Sequence, residues 1–187
     1  MTPTPEHTEV ELFDIRYDQQ HEAPVIFLKS KSQDLFLLIW IGEPEAISID
    51  IAQSGRDPGR PLTHDLFINV LSDFEVEFIE VRIDRLVDST YYAILKIKHF
   101  DAYLEYDARP SDAIAIALRA KIPVYVKLDL MYPIPIVKGD IKPEEEAQLT
   151  KEINELIDNF DAKEGQIYTA EFRNLIKKIS PKDFKDS

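Results

Sequence analysis

VEFIEVRIDRLVDSTYYAILKIKHFDAYLEYDARPSDAIAIALR, residues 76–119, places three strand-forming runs in succession and only then a helix. Val76, Phe78, Ile79, Val81 and Ile83 mark an alternating apolar run. Val87-Asp88-Ser89-Thr90 then turns into a second run over 91–99, and His99-Phe100-Asp101-Ala102 into a third over 101–107. Strands joined by short turns form an antiparallel meander, whereas a doubly wound parallel sheet needs a helix between each pair. Working outward, further strands are predicted at 8–17, 24–30, 35–41 and 122–128, and helices at 43–54, 63–73 and 110–121. The fold class is therefore α+β, a mixed and largely antiparallel sheet with two or three packed helices, followed by a C-terminal helical extension.

The segment over 43–54 carries two opposing signals. Ile47, Ile49 and Ile51 alternate with period two, as in a strand, while Glu43-Pro44-Glu45 opens like a helix. Upstream, Leu35–Ile41 is an unbroken apolar run that stops at Gly42, the pattern of a strand buried on both faces.

The third strand of the meander ends in a junction crowded with charge. In Asp107-Ala108-Arg109-Pro110-Ser111-Asp112, proline starts the helix where no amide donor is needed, and Ser111 and Asp112 suit free first-turn amides. Arg60-Pro61-Leu62-Thr63-His64-Asp65 repeats the design, with Thr63 the expected N-cap and Leu62 and Phe67 the expected hydrophobic staple. Each start offers free amides and the positive end of a helix dipole, which favour anions. His64 in a first turn can accept a proton or ligate a metal. Capping alone also explains these residues, and each junction taken singly is more often structural than functional.

The segments Trp40-Ile41-Gly42 with Glu45-Ala46, then Arg60-Pro61 with Thr63-His64-Asp65-Leu66, then Asp107 through Ala113, resemble in this order the signatures of the bifunctional nuclease family, over about residues 8–136. The resemblance implies a compact, often oligomeric α+β domain with proposed DNase and RNase activity. Joined with the two charged helix starts, it assigns Arg60, Arg109, Thr63 and Ser111 to phosphate binding and His64, Asp65 and Asp112 to catalysis. Mg²⁺ or Mn²⁺ would bind at Asp107 and Asp112, with Glu43 and Glu45 as weaker candidates. Asp65 and Arg109 are then expected to be neighbours. A buried structural network pairing Arg109 with Asp65, Asp107 or Asp112 needs the same residue types and no substrate.

Charge restrains this reading. The chain has 187 residues and a net charge of −13, and its first 140 residues carry 14 Lys/Arg against 24 Asp/Glu. Nucleic-acid binders usually show a basic footprint. A tightly gripped duplex is thus disfavoured, and a short or single-stranded substrate is the expected partner. A non-enzymatic oligomeric scaffold is the alternative, supported by the acidity and by apolar stripes near the C-terminus.

The absence of cysteine excludes disulfides, thiolate metal sites and a cysteine nucleophile. No apolar run is long enough to span a membrane and no signal peptide is evident, so the cytoplasm is the expected compartment. The expected organisation is an unstructured 1–8, a nuclease-like domain over 9–138 and a helical extension over 139–187. In that extension Leu149, Ile153, Leu156, Ile157 and Phe160, and again Phe172, Leu175, Ile176 and Ile179, recur at helical spacing. These stripes are expected to cover the sheet or a neighbouring subunit of a homo-oligomer.

Overall fold

A computed structural model describes residues 6–18 and 22–133. The chain runs β1 (His7–Asp18), β2 (Ala23–Ser30), β3 (Phe36–Trp40), α1 (Glu43–Ser54), α2 (Thr63–Asp73), β4 (Val76–Val87), β5 (Thr90–His99), β6 (Ala102–Ala108), α3 (Pro110–Ala120) and β7 (Val124–Lys127), closed by a 3₁₀ turn at Leu128–Leu130. The expected C-terminal helices lie outside the described residues.

The seven strands form one sheet in the order β3-β2-β1-β7-β4-β5-β6. Every pairing is antiparallel except β4 with β7, where Val81 faces Val124 and Ile83 faces Val126. That single parallel contact has a covalent cause. β6 and β7 both run parallel to β4, so the connection between them must cross the sheet, and α3 is that crossover.

α3 is the centre of the core. Ala113 through Ala117 are all buried, packed with Ile26, Leu28, Leu37 and Ile39 from one half of the sheet and Val81, Ile83, Ala93, Leu95 and Ile97 from the other. The alanines of this Ala-Ile sequence let neighbouring elements approach the helix closely. α1 settles the ambiguity at 43–54 as a helix: Ile49 alone of its three alternating isoleucines is fully buried, and Gly55 ends it in the left-handed region at φ 65°.

Order begins earlier than the sequence suggests. His7, expected in an unstructured leader, opens β1 beside Thr8, where the predicted strand begins, and the two pair with Lys127 and Val126 of β7. Thr8 is buried with its hydroxyl 2.8 Å from that of Ser30, and His7 Nε2 lies 2.7 Å from Asp84. Two polar residues thereby gain partners that a sequence pattern cannot foresee. Among the described residues no helix is long and apolar enough to cross a membrane.

Candidate functional site

The three helices lie on one face of the sheet, and their polar residues meet in a continuous chain of hydrogen bonds. It begins on α3. Arg109, the N-cap residue, wraps back onto Asp112 with Nε 2.6 Å from Oδ2 and an η-nitrogen 3.0 Å from Oδ1. Its other η-nitrogen reaches Glu45 Oε1 on α1 at 3.0 Å. Arg109 thus bridges two helices while its side chain stays 65% exposed.

Asp112 Oδ1 also meets His64 Nε2 at 3.2 Å, and His64 Nδ1 lies 3.0 Å from Ser48 Oγ on α1. Ser48 Oγ accepts from Arg119 at 3.2 Å, and Arg119 donates to Asp65 Oδ1 at 2.7 Å and to the Ala115 carbonyl at 3.0 Å. A carboxylate only accepts and a guanidinium only donates. With neutral imidazole, Nε2 therefore donates to Asp112 while the Ser48 hydroxyl, fed by Arg119, donates to Nδ1.

Local sequence explains the convergence. Asp112 and Arg119 stand seven residues apart on α3, two turns along one face. His64 and Asp65 are adjacent on the first turn of α2 and splay to either end of that face. The Asp65 carboxylate also accepts from the Leu62 amide at 2.9 Å, so Leu62 is the N-cap residue of α2 and Thr63 the first residue inside the helix. This corrects the expected Thr63 cap and the Leu62/Phe67 staple: with the N3 carboxylate serving the cap amide, no hydroxyl is required there.

Burial alone would raise the Asp65 carboxyl, but the Leu62 amide and Arg119 outweigh it and hold it below the ordinary carboxylate value. Asp112 behaves likewise, burial opposing and the Arg109 and His64 contacts prevailing. Arg109 is held above its usual value, first by its bonds to Asp112 and then by Glu45.

The predicted residues do not share one cleft. An open groove of ≈ 740 Å³ is lined by Glu45, Ser48, Thr63, His64, Arg109 and Asp112, among others. A second, of ≈ 450 Å³, holds Arg60, Asp65 and Arg119, and Ile51 and Pro61 line both. Asp65 and Arg109, expected as neighbours, have different partners: Asp65 takes Arg119, and Arg109 takes Asp112 and Glu45. The two helix starts do meet, through His64 and Asp112. Ser111 is buried and Glu43 is exposed, and neither lines either of these two grooves.

Asp107 is also elsewhere. It stands in register with Ile94, whereas the neighbouring residues Ala93 and Leu95 point into the helix-covered core, so Asp107 projects from the opposite face of the sheet. Among the described residues no group of three His, Asp or Glu side chains could hold a metal ion. Glu45 and Asp112 are nevertheless both bound to Arg109, and Mg²⁺ is commonly held by one or two carboxylates together with substrate phosphate. The donors fit such an ion only as a pair completed by a phosphate.

Sequence reasoning missed Ser48 and Arg119. Arg119 had a signal, a guanidinium two turns from Asp112 in an otherwise apolar helix. Ser48 had none, because its segment read equally as a strand.

A family model described as the bifunctional nuclease domain matches residues 26–137. An uncharacterized protein of Mycobacterium tuberculosis is 36% identical over 177 residues, 95% of this chain and 98% of its own length. Bifunctional nuclease 1 of Arabidopsis thaliana is 31% identical over 113 residues, covering 58% of this chain and 35% of the plant protein. Bifunctional nuclease 1 of Oryza sativa subsp. japonica is 28% identical over 121 residues, covering 63% and 36% respectively.

Proposed function

The chain belongs to the bifunctional nuclease domain family, and from that premise we propose that it hydrolyses phosphodiester bonds of nucleic acid in the groove lined by His64, Asp112 and Arg109. One observation carries the reading. Arg109 is an exposed guanidinium clamped between Glu45 and Asp112, where an incoming phosphate competes for it at little cost in burial. Arginine binds phosphate bidentately with the same fork it offers Asp112.

In this scheme Arg109 transfers its fork to the scissile phosphate and faces the charge that builds on the equatorial oxygens. Once Asp112 has turned away, His64 adopts its other tautomer, with Nδ1–H donating to Ser48 Oγ, and the bare Nε2 accepts the proton of the attacking water. Ser48 orients the imidazole. The carboxylates of Glu45 and Asp112, relieved of Arg109, would hold Mg²⁺ or Mn²⁺, which would polarise the phosphate as a Lewis acid. Arg60 lines the adjoining groove across Pro61 and would meet a neighbouring phosphate of the same strand.

The competing structural reading applies to the other half of the chain of bonds. Arg119 is only 7% exposed and is satisfied by Asp65, Ser48 and the Ala115 carbonyl. It braces the three helices, and Asp65 belongs to that brace rather than to the chemistry.

Acidity favours short or single-stranded substrates, since −13 of net charge repels an extended duplex. The test is cleavage of an end-labelled single-stranded oligonucleotide with Mg²⁺ or Mn²⁺ and with chelator, using wild type and Arg109→Ala. Loss of cleavage with retained folding supports the reading, and undiminished cleavage in the variant removes it.

A further inference from the structure

α2 is amphipathic, yet none of its residues is buried. Leu66, Phe67, Val70 and, just past its end, Phe74 are exposed, the last at 67%. The apolar surface does not stop at the helix. Phe67 packs edge-on to Phe78 of β4 with ring centroids 6.2 Å apart, Phe78 is in register with Ile97 of β5, and Ile97 with Leu104 of the edge strand β6. Leu104 and Tyr106 project from the helix-bearing face and are exposed as well. Exposed apolar side chains of α2 and of the edge strand β6 thus flank the partly buried Phe78 and the buried Ile97 on one face, the kind of patch that marks an interaction site.

The rim at one end is acidic. Asp73 and Glu75 flank the turn from α2 to β4, Asp101 lies in the turn from β5 to β6, and none of the three has an ion pair among the described residues.

One stretch of this chain has the complementary composition. Residues 170–182, AEFRNLIKKISPK, carry Phe172, Leu175, Ile176 and Ile179 at helical spacing, flanked by Arg173, Lys177, Lys178 and Lys182 with Glu171 the lone acid. The earlier stripe, over 143–160, begins with Glu144-Glu145-Glu146 and has the wrong sign. Reach is no obstacle. Tyr132 pairs with Phe36 of β3, at the sheet edge opposite β6, so six strand spacings, about 29 Å, separate them. The chain between residues 133 and 170 extends to roughly four times that.

We propose that residues 170–182 cover the apolar surface of α2, Phe78 and β6 within the same chain, with their cations set against Asp73, Glu75 and Asp101. The test is hydrogen exchange of the full chain, wild type beside Leu175→Asp/Ile176→Asp. Amides over 64–74 and 102–106 should exchange on the order of tenfold faster in the variant, while 113–117 in the core of α3 stay protected. Lys177→Glu/Lys178→Glu should do the same, and adding Asp73→Lys/Glu75→Lys should restore protection. This charge series decides the matter if the aspartate variant opens the core as well. Exchange over α2 that ignores these changes, or wild-type protection that rises with protein concentration, would overturn the proposal, the latter by making a second copy the cover.

Discussion

His64 and Asp112, 48 residues apart in sequence, lie 3.2 Å apart between Nε2 and Oδ1 and join the first turns of α2 and α3. The contact is the hinge of the site: on one side stand the exposed Arg109 and the half-buried Glu45, on the other the buried Arg119 and its brace. Function and stability therefore separate along one chain of hydrogen bonds, and mutations on its two sides should behave differently.

Arg119→Met should act on folding. It strands Asp65 and Ser48 without their donor in a partly buried setting, and breaking such a pair costs about 3–5 kcal/mol when fully buried. Asp65 is 30% exposed, which places the expected loss at the lower end of that range. Urea unfolding should show a lowered midpoint, and a midpoint equal to wild type would show that the brace contributes nothing.

Arg109→Ala should act on chemistry. Its side chain is largely in water, where ion pairs contribute at most about 1 kcal/mol. Thermal melting should shift by no more than a few degrees while phosphate-dependent binding of a short oligonucleotide is lost. Arg109→Lys should recover little, because an ammonium cannot reproduce the fork.

Gly42→Ala should weaken the same arginine indirectly. A Cβ at Gly42 would collide with the Glu45 carboxylate, pushing it from its contact with Arg109. Reduced oligonucleotide affinity with an unchanged circular dichroism spectrum is expected.

Acid should destabilise the protein through Asp65 and Asp112. Both carboxyls sit below the ordinary value of 3.8 in the folded state, so each contributes stability that is fully present above about pH 4 and lost as pH falls through its folded value. Urea midpoints at pH 7, 4 and 3 should fall for wild type. Asp65→Asn should start lower at pH 7 and lose less on acidification.

Much of the fold was legible because period-two alternation over 76–106 and the prolines at 44 and 110 are local signals that packing did not override. The parallel β4–β7 pairing was not, since it follows from where the α3 crossover returns the chain. At the site, Arg60, His64, Arg109 and Asp112 could be picked out as charge at helix starts. Their division into two grooves could not, because Asp65 and Arg109 choose partners by the crossing of α2 over α3. Asp107 was misplaced by adjacency: it neighbours Arg109 in sequence, but strand alternation turns it to the far face.

Whether His64 and Asp112 carry phosphodiester hydrolysis is decided by cleavage of a labelled single-stranded RNA or DNA by wild type, His64→Ala and Asp112→Asn purified identically. Folding of each is first established by circular dichroism. Loss of the general base in His64→Ala should lower the rate by about 10²–10⁴-fold, and Asp112→Asn, which removes a carboxylate that would hold the metal, should lose cleavage as well. Cleavage undiminished in both would contradict the account, marking the activity as a contaminant and leaving the charge network a structural brace.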